Sequence, residues 1–250
     1  MTVPYIYVQV IALFCYTLIM IALLAAKKDA IINTFLLWVF NFFIWTGGSL
    51  LMRLGVGPSY ELWYDVSFLA LLALPLFAYL FFSSIAKVKG YMTKALWTLG
   101  TAVILVLAAN EVFLQRPVKT VIDGRTVFQY NMDAMAIIPL VFSCALLFSA
   151  VMVVVKMVRE QGISSPGLKF IIAGCVIMIA GNFISAVPGN YFPFDALSGI
   201  INAILVVYAL YKKRLFKLTL LVSKSTLIFI SIVLVAVLCS NIITPLNSFI

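Results

Sequence analysis

The chain has 250 residues, 65% of them hydrophobic and only 10% charged, with a formal net charge of +9 and no histidine. A soluble domain carries about 25% charged residues, so this composition excludes an ordinary water-soluble globule and asks for a lipid environment. The positive residues sit beside apolar runs, where they orient helices and meet anionic headgroups, which excludes nucleic acid as a partner and makes membrane lipids one.

The first seven residues carry no positive charge and the apolar run that follows is long, so the N-terminus reads as a first membrane span and not as a cleaved secretory signal. Crossing the hydrocarbon layer takes about 20 apolar residues in a helix. Runs of that kind cover 4–26, 30–52, 62–86, 93–114, 134–158, 168–187, 196–211 and 227–243. The predicted fold is an all-α integral membrane protein: a bundle of seven transmembrane helices over 1–216, then a basic elbow and an eighth helix over 217–250.

Thirteen of the seventeen Lys and Arg residues fall in alternate gaps: Lys27 and Lys28; Lys87, Lys89 and Lys94; Lys156, Arg159 and Lys169; and Lys212, Lys213, Arg214, Lys217 and Lys224. The positive-inside bias makes that side cytoplasmic and puts the N-terminus outside. The outer side carries Arg53, Arg116, Lys119 and Arg125 with most of the acids, Glu61, Asp65, Glu111, Asp123, Asp133 and Asp195. One outer loop is long. Its stretch Val118-Lys119-Thr120-Val121-Ile122-Asp123-Gly124-Arg125-Thr126-Val127-Phe128 has two β-prone arms around an Asp-Gly turn, which predicts a small extracellular β-hairpin between helices four and five; the alternative is a plain linker.

Without histidine the chain lacks the commonest metal ligand and general base, so no catalytic residue, metal or cofactor is expected. A retinal pigment would need a Schiff-base lysine in the seventh span, and 196–211 has none. Cys15, Cys144, Cys175 and Cys239 lie singly in apolar runs and read as small buried hydrophobes. Gly47, Gly48, Gly174 and Gly181 read as close-packing positions between helices.

Polar groups inside spans are costly, so their positions point to function. Most gather towards the outer leaflet: Trp45 and Arg53 on helix two, Glu61 and Asp65 at the start of helix three, Asn110 and Glu111 at the end of helix four, Asn182 late in helix six, and Asn190, Tyr191 and Asp195 before helix seven. Glu61 and Asp65 share a helical face, with Arg53 as the nearest counter-charge in sequence. Singly these residues suit an interfacial belt; together they suit an outward-opening site for a small-molecule or lipid-like ligand. Asn41, deeper in helix two, suits an interhelical hydrogen bond.

The seventh span ends in Tyr208-Ala209-Leu210-Tyr211-Lys212-Lys213-Arg214-Leu215-Phe216-Lys217-Leu218. Helix three runs from Trp63 through Leu74-Pro75-Leu76-Phe77 to Phe81-Phe82, helix four ends in Ala109-Asn110-Glu111, and Gly181-Asn182 precedes Phe192-Pro193-Phe194-Asp195. In this order, over roughly 5–220, these stretches resemble the N-terminal seven-transmembrane sensor region of bacterial histidine kinases, also found before diguanylate cyclases. The resemblance implies a multi-pass sensor of the bacterial cell membrane that relays ligand binding to a cytoplasmic signalling domain or protein, with a homodimer as one form. Lys213, Arg214, Phe216 and Lys217 would be the relay, on a basic amphipathic elbow in the headgroup layer. The chain to Ile250 shows no phospho-accepting histidine and no cyclase motif, which suits an excised sensor. The rival class is a small secondary transporter or permease; against it stand the lack of an internal repeat and of a charge near the membrane midplane.

Overall fold

The computed structural model describes residues 6–26, 28–88, 90–113, 115–122, 125–129, 134–161, 167–185 and 192–212. Among the described residues, seven helices are long and apolar enough to cross a membrane: α1 (Ile6–Ala25), α2 (Ala30–Leu54), α3 (Tyr60–Ile85), α4 (Tyr91–Ala109), α5 (Ile137–Gln161), α6 (Leu168–Ser185) and α7 (Phe194–Lys212). Between α4 and α5, β1 (Val118–Ile122) and β2 (Arg125–Gln129) pair antiparallel, with Val118 opposite Gln129 and Ile122 opposite Arg125. The eighth span, the elbow at 217–224 and the boundary at 216/217 lie outside the described residues.

Local chemistry sets the helix ends. Asp29 caps α2 by accepting from the Ile32 amide at 2.7 Å, and Ser59 caps α3 by accepting from Leu62 at 3.2 Å; each satisfies an amide that the first turn leaves without a partner. α2 stops at Gly55, whose φ of 63° is the left-handed conformation glycine adopts most easily. α4 ends at Ala109, five residues earlier than the apolar run predicts, because the chain turns back at Glu111.

α1 packs on α2 and α7, α2 on α3, α3 on α4 and α5, and α6 on α7. The centre is aromatic. Trp38 of α2 lies 5.4 Å from Phe81 and 5.7 Å from Phe82 of α3, and Tyr16 of α1 stacks on Phe42 at 5.7 Å. Outward-facing side chains are apolar too: Leu99, Val103 and Val106 on α4, Leu140 and Phe148 on α5, and Val176 and Phe183 on α6 are exposed. In water such a surface would drive aggregation; against lipid tails it is matched to its surroundings.

Because lipid is as apolar as leucine, burial alone does not hold helices together in a bilayer, and close packing and polar ties carry the difference. Asn41 shows this: its amide donates to the Ala70 carbonyl at 2.8 Å, a buried bond from α2 to α3. Pro75, in the next turn of α3, has no N–H to give to the Leu71 carbonyl, so this part of the helix is one backbone hydrogen bond short beside the Ala70 acceptor. Ser67 returns a second buried bond, donating to the Trp45 carbonyl at 3.0 Å. Gly48 lies one turn beyond Trp45, and a Cβ there would stand 3.0 Å from the Trp63 oxygen and the Ser67 nitrogen.

Candidate functional site

The α2–α3 connection, the end of α4 and the start of α7 lie at one end of the bundle, as alternating spans require. Trp63, on the first turns of α3, donates from its indole to the Val56 carbonyl at 2.8 Å and pins the connection from α2. Glu61 lies in the first turn of α3, where a negative side chain complements the helix dipole, and Asp65 follows one turn later.

The end of α4 builds the other half. The Glu111 amide donates to Ala108 at 3.0 Å and Val112 to Leu107 at 3.1 Å, the paired bonds of a Schellman cap. The cap places Glu111 in the left-handed region at φ 58°, a position usually given to glycine. The turn sends the chain back so that Arg116 lies over α3. Its Nη2 donates to Asp65 Oδ2 at 2.8 Å, and its Nε lies 3.3 Å from Glu111 Oε1. The Arg116 guanidinium is pushed above its ordinary range first by the hydrogen bond it donates to Asp65 and second by the Asp65 charge, with the charges of Glu111 and Glu61 adding to it. Arg116 and Glu111 are exposed and Asp65 is partly exposed, so the cluster stabilises the fold little and is open to competition from a dissolved or headgroup charge.

Arg53 was expected as the counter-charge of Asp65; the partner is Arg116. The physical reason is the reversal at Glu111, which carries a residue 51 positions away into contact. Arg53 lies half-buried in the last turn of α2, its Nε enclosed without a hydrogen-bond partner among the described residues. Trp45 is buried in the core beside Phe42, with ring centroids 6.3 Å apart, and does not face the charged cluster. Asn110 and Asn182 each donate to a carbonyl of their own helix, Val106 at 2.7 Å and Met178 at 2.8 Å. Asp195 forms a separate group: its backbone amide donates to Ser185 Oγ at 2.8 Å, tying the end of α6 to the first turn of α7. Tyr191 and the relay residues Lys213, Arg214, Phe216 and Lys217 lie outside the described residues.

The structure therefore brings together Asp65, Glu111 and Arg116, with Glu61 alongside, and sets Asp195 with Ser185 on the other helix pair. Arg116 is the member that sequence reading missed as a site residue. Its one local signal is that it stands among the few basic residues on the acid-rich side.

Seven apolar spans among the described residues define a multi-pass helical membrane protein. The chain belongs to the family described as the N-terminal 7TM region of histidine kinase, whose model matches residues 8–219. It is thus a membrane sensor region of signal transduction, of the kind joined to a cytoplasmic signalling domain. No curated protein and no solved structure matches the chain.

Proposed function

We propose that the chain senses a small or lipid-like ligand at the end of the bundle that carries Asp65, Glu111 and Arg116, and passes the event through α7 to a cytoplasmic kinase or cyclase. The distribution of lysine and arginine supports an extracellular position for that end and a bacterial cell membrane as the site, with the N-terminus outside. The observation that carries the reading is the Arg116 bridge. One exposed guanidinium holds the start of α3 and the exit of α4 together through two carboxylates, so a charged ligand that takes either partner changes how the two helices are joined. Binding can shift the bundle only as far as it favours one arrangement over the other. Asp195, at the start of α7, is the point where the same ligand, or a second one, reaches the transmitting helix.

The test is thermal stabilisation of the purified chain in lipid nanodiscs by a panel of anionic, cationic and lipid-like compounds, repeated with Asp65→Asn and Arg116→Gln. Stabilisation lost in both variants supports the site; stabilisation untouched in both refutes it. Flux of the same compound into proteoliposomes would move the protein to the transporter class.

A further inference from the structure

α4 stands apart from the other six helices. The main buried core draws on α1, α2, α3, α5, α6 and α7, and α4 gives it only the partly buried Trp97. Towards the charged end, Ile104 and Ala108 of α4 and Phe113 just beyond it are buried in a second, smaller apolar cluster with Phe68, Leu69 and Leu72 of α3 and Phe142 of α5. The remaining sides of α4 are open, with Leu96, Leu99, Val103 and Val106 exposed. Thr98 and Thr101 donate to carbonyls of α4 itself, Lys94 and Trp97, each at 2.8 Å, so these bonds do not tie the helix to a neighbour.

Two contacts set its position. Midway along α4, Trp97 meets Phe142 edge to face at 5.5 Å, and Gly100 approaches the same ring so closely that a Cβ there would stand 2.9 Å from it. At the charged end, Arg116 crosses from the exit of α4 to Asp65 of α3 while also holding Glu111. The first contact is close packing on a glycine; the second is an ion pair open to solvent, which is the weak kind. Between them only the small cluster joins α4 to α3. Parting it costs little in a bilayer, because lipid tails are as apolar as the side chains they replace.

We propose that α4 is a swinging helix, pivoting where Trp97 and Gly100 meet Phe142 and latched at the charged end by Arg116. From Gly100 to Glu111 the arm is about 16 Å long, and a tilt of about 20° carries its end about 5 Å from α3. Phe142 packs on both clusters, so the swing reaches the main core there. Its use rests on the sensor reading, in which a ligand at Arg116 releases the latch; the hinge itself needs no ligand.

The experiment is a spin-label distance measurement on the 250-residue chain in lipid nanodiscs, with the native cysteines replaced by alanine. One label sits at Val10→Cys on α1, and its partner either at Val106→Cys on the arm or at Leu99→Cys beside the pivot; all three positions are exposed. Arg116→Gln is expected to change the Val10–Val106 distance by up to about 5 Å and the Val10–Leu99 distance by less than about 1 Å. Asp65→Asn combined with Glu111→Gln opens the same latch from its other side and is expected to give the same pattern, so the test stands if either variant fails to assemble. An unchanged Val10–Val106 distance overturns the latch. Equal changes at both labels overturn the pivot, because α4 then leaves as a whole. No ligand enters the measurement, so a failure here leaves the ligand site standing, and a failed ligand panel leaves the hinge standing.

Discussion

The α2–α3 pair and the α6–α7 pair are both tightly joined, by opposite means. Between α2 and α3 the join is directional: Asn41 donates to Ala70, Ser67 donates to Trp45, and both bonds run from a buried side chain to a backbone carbonyl. Between α6 and α7 the join is largely one of shape. Gly174 accepts Asn202, whose Oδ1 would lie 2.6 Å from a Cβ there, and Gly181 leaves no room for any side chain beside Ser198 and the Phe194 carbonyl. The bonds that cross this second seam among the described residues are the Ser185–Asp195 tie at its end and a weak Asn202–Met178 contact at 3.5 Å. A directional join fixes rotation and register together, whereas a glycine seam fixes distance and leaves sliding cheaper. The pair that includes α7, the helix proposed to pass the signal on, is the one held by shape, which suits the movement that proposal requires.

The comparison can be broken most severely at Gly181. Leucine there overlaps Ser198 and the Phe194 carbonyl and is expected to cost about 3 kcal/mol, read as a large drop in the thermal midpoint in detergent. Adding Ser198→Gly should recover part of the loss, and a lack of any recovery would show that the seam is not limited by that contact. Gly48→Ala is next, at about 1–2 kcal/mol, since the atoms it meets are mainly backbone and cannot swing aside. Asn41→Leu follows at about 1 kcal/mol and Ser67→Ala at about 0.6 kcal/mol, the range measured for hydrogen bonds between membrane helices. A midpoint unmoved in both would remove the directional half of the contrast.

Two smaller effects sharpen the picture at the charged end. Glu111→Gly relieves a left-handed backbone and should raise stability by up to about 1 kcal/mol, while freeing Arg116 from one of its two carboxylates. Asp65→Asn should leave the midpoint nearly unchanged, because the pair it breaks is open to solvent on the Arg116 side. Any large thermal loss in Asp65→Asn would make the cluster a structural staple and weaken its reading as a ligand site.

Much of the scaffold was legible one residue at a time. The spans follow from apolar length, the Asn41 tie from the cost of an amide in hydrocarbon, and the packing roles of Gly48, Gly174 and Gly181 from the lack of a side chain where helices must approach. The charged site was legible only as an inventory. Glu61, Asp65 and Glu111 could be placed at one end, but Arg53 stood nearer to Asp65 in sequence than Arg116 does, and nearness along the chain chose wrongly. Trp45 looked interfacial because tryptophan favours headgroups, and it lies in the core because it continues the buried aromatic face of α2 one turn on from Phe42.

The sequence by itself determined that this chain lives in a membrane, how many described spans it has and which residues cannot face lipid, since these depend on the free energy of moving each side chain from water to hydrocarbon. Only the tertiary structure decided which guanidinium reaches Asp65 and that the Tyr16 hydroxyl reaches Gly199. Those pairings depend on one left-handed turn at Glu111 and on how closely three helices approach, and neither is a property of any residue taken alone.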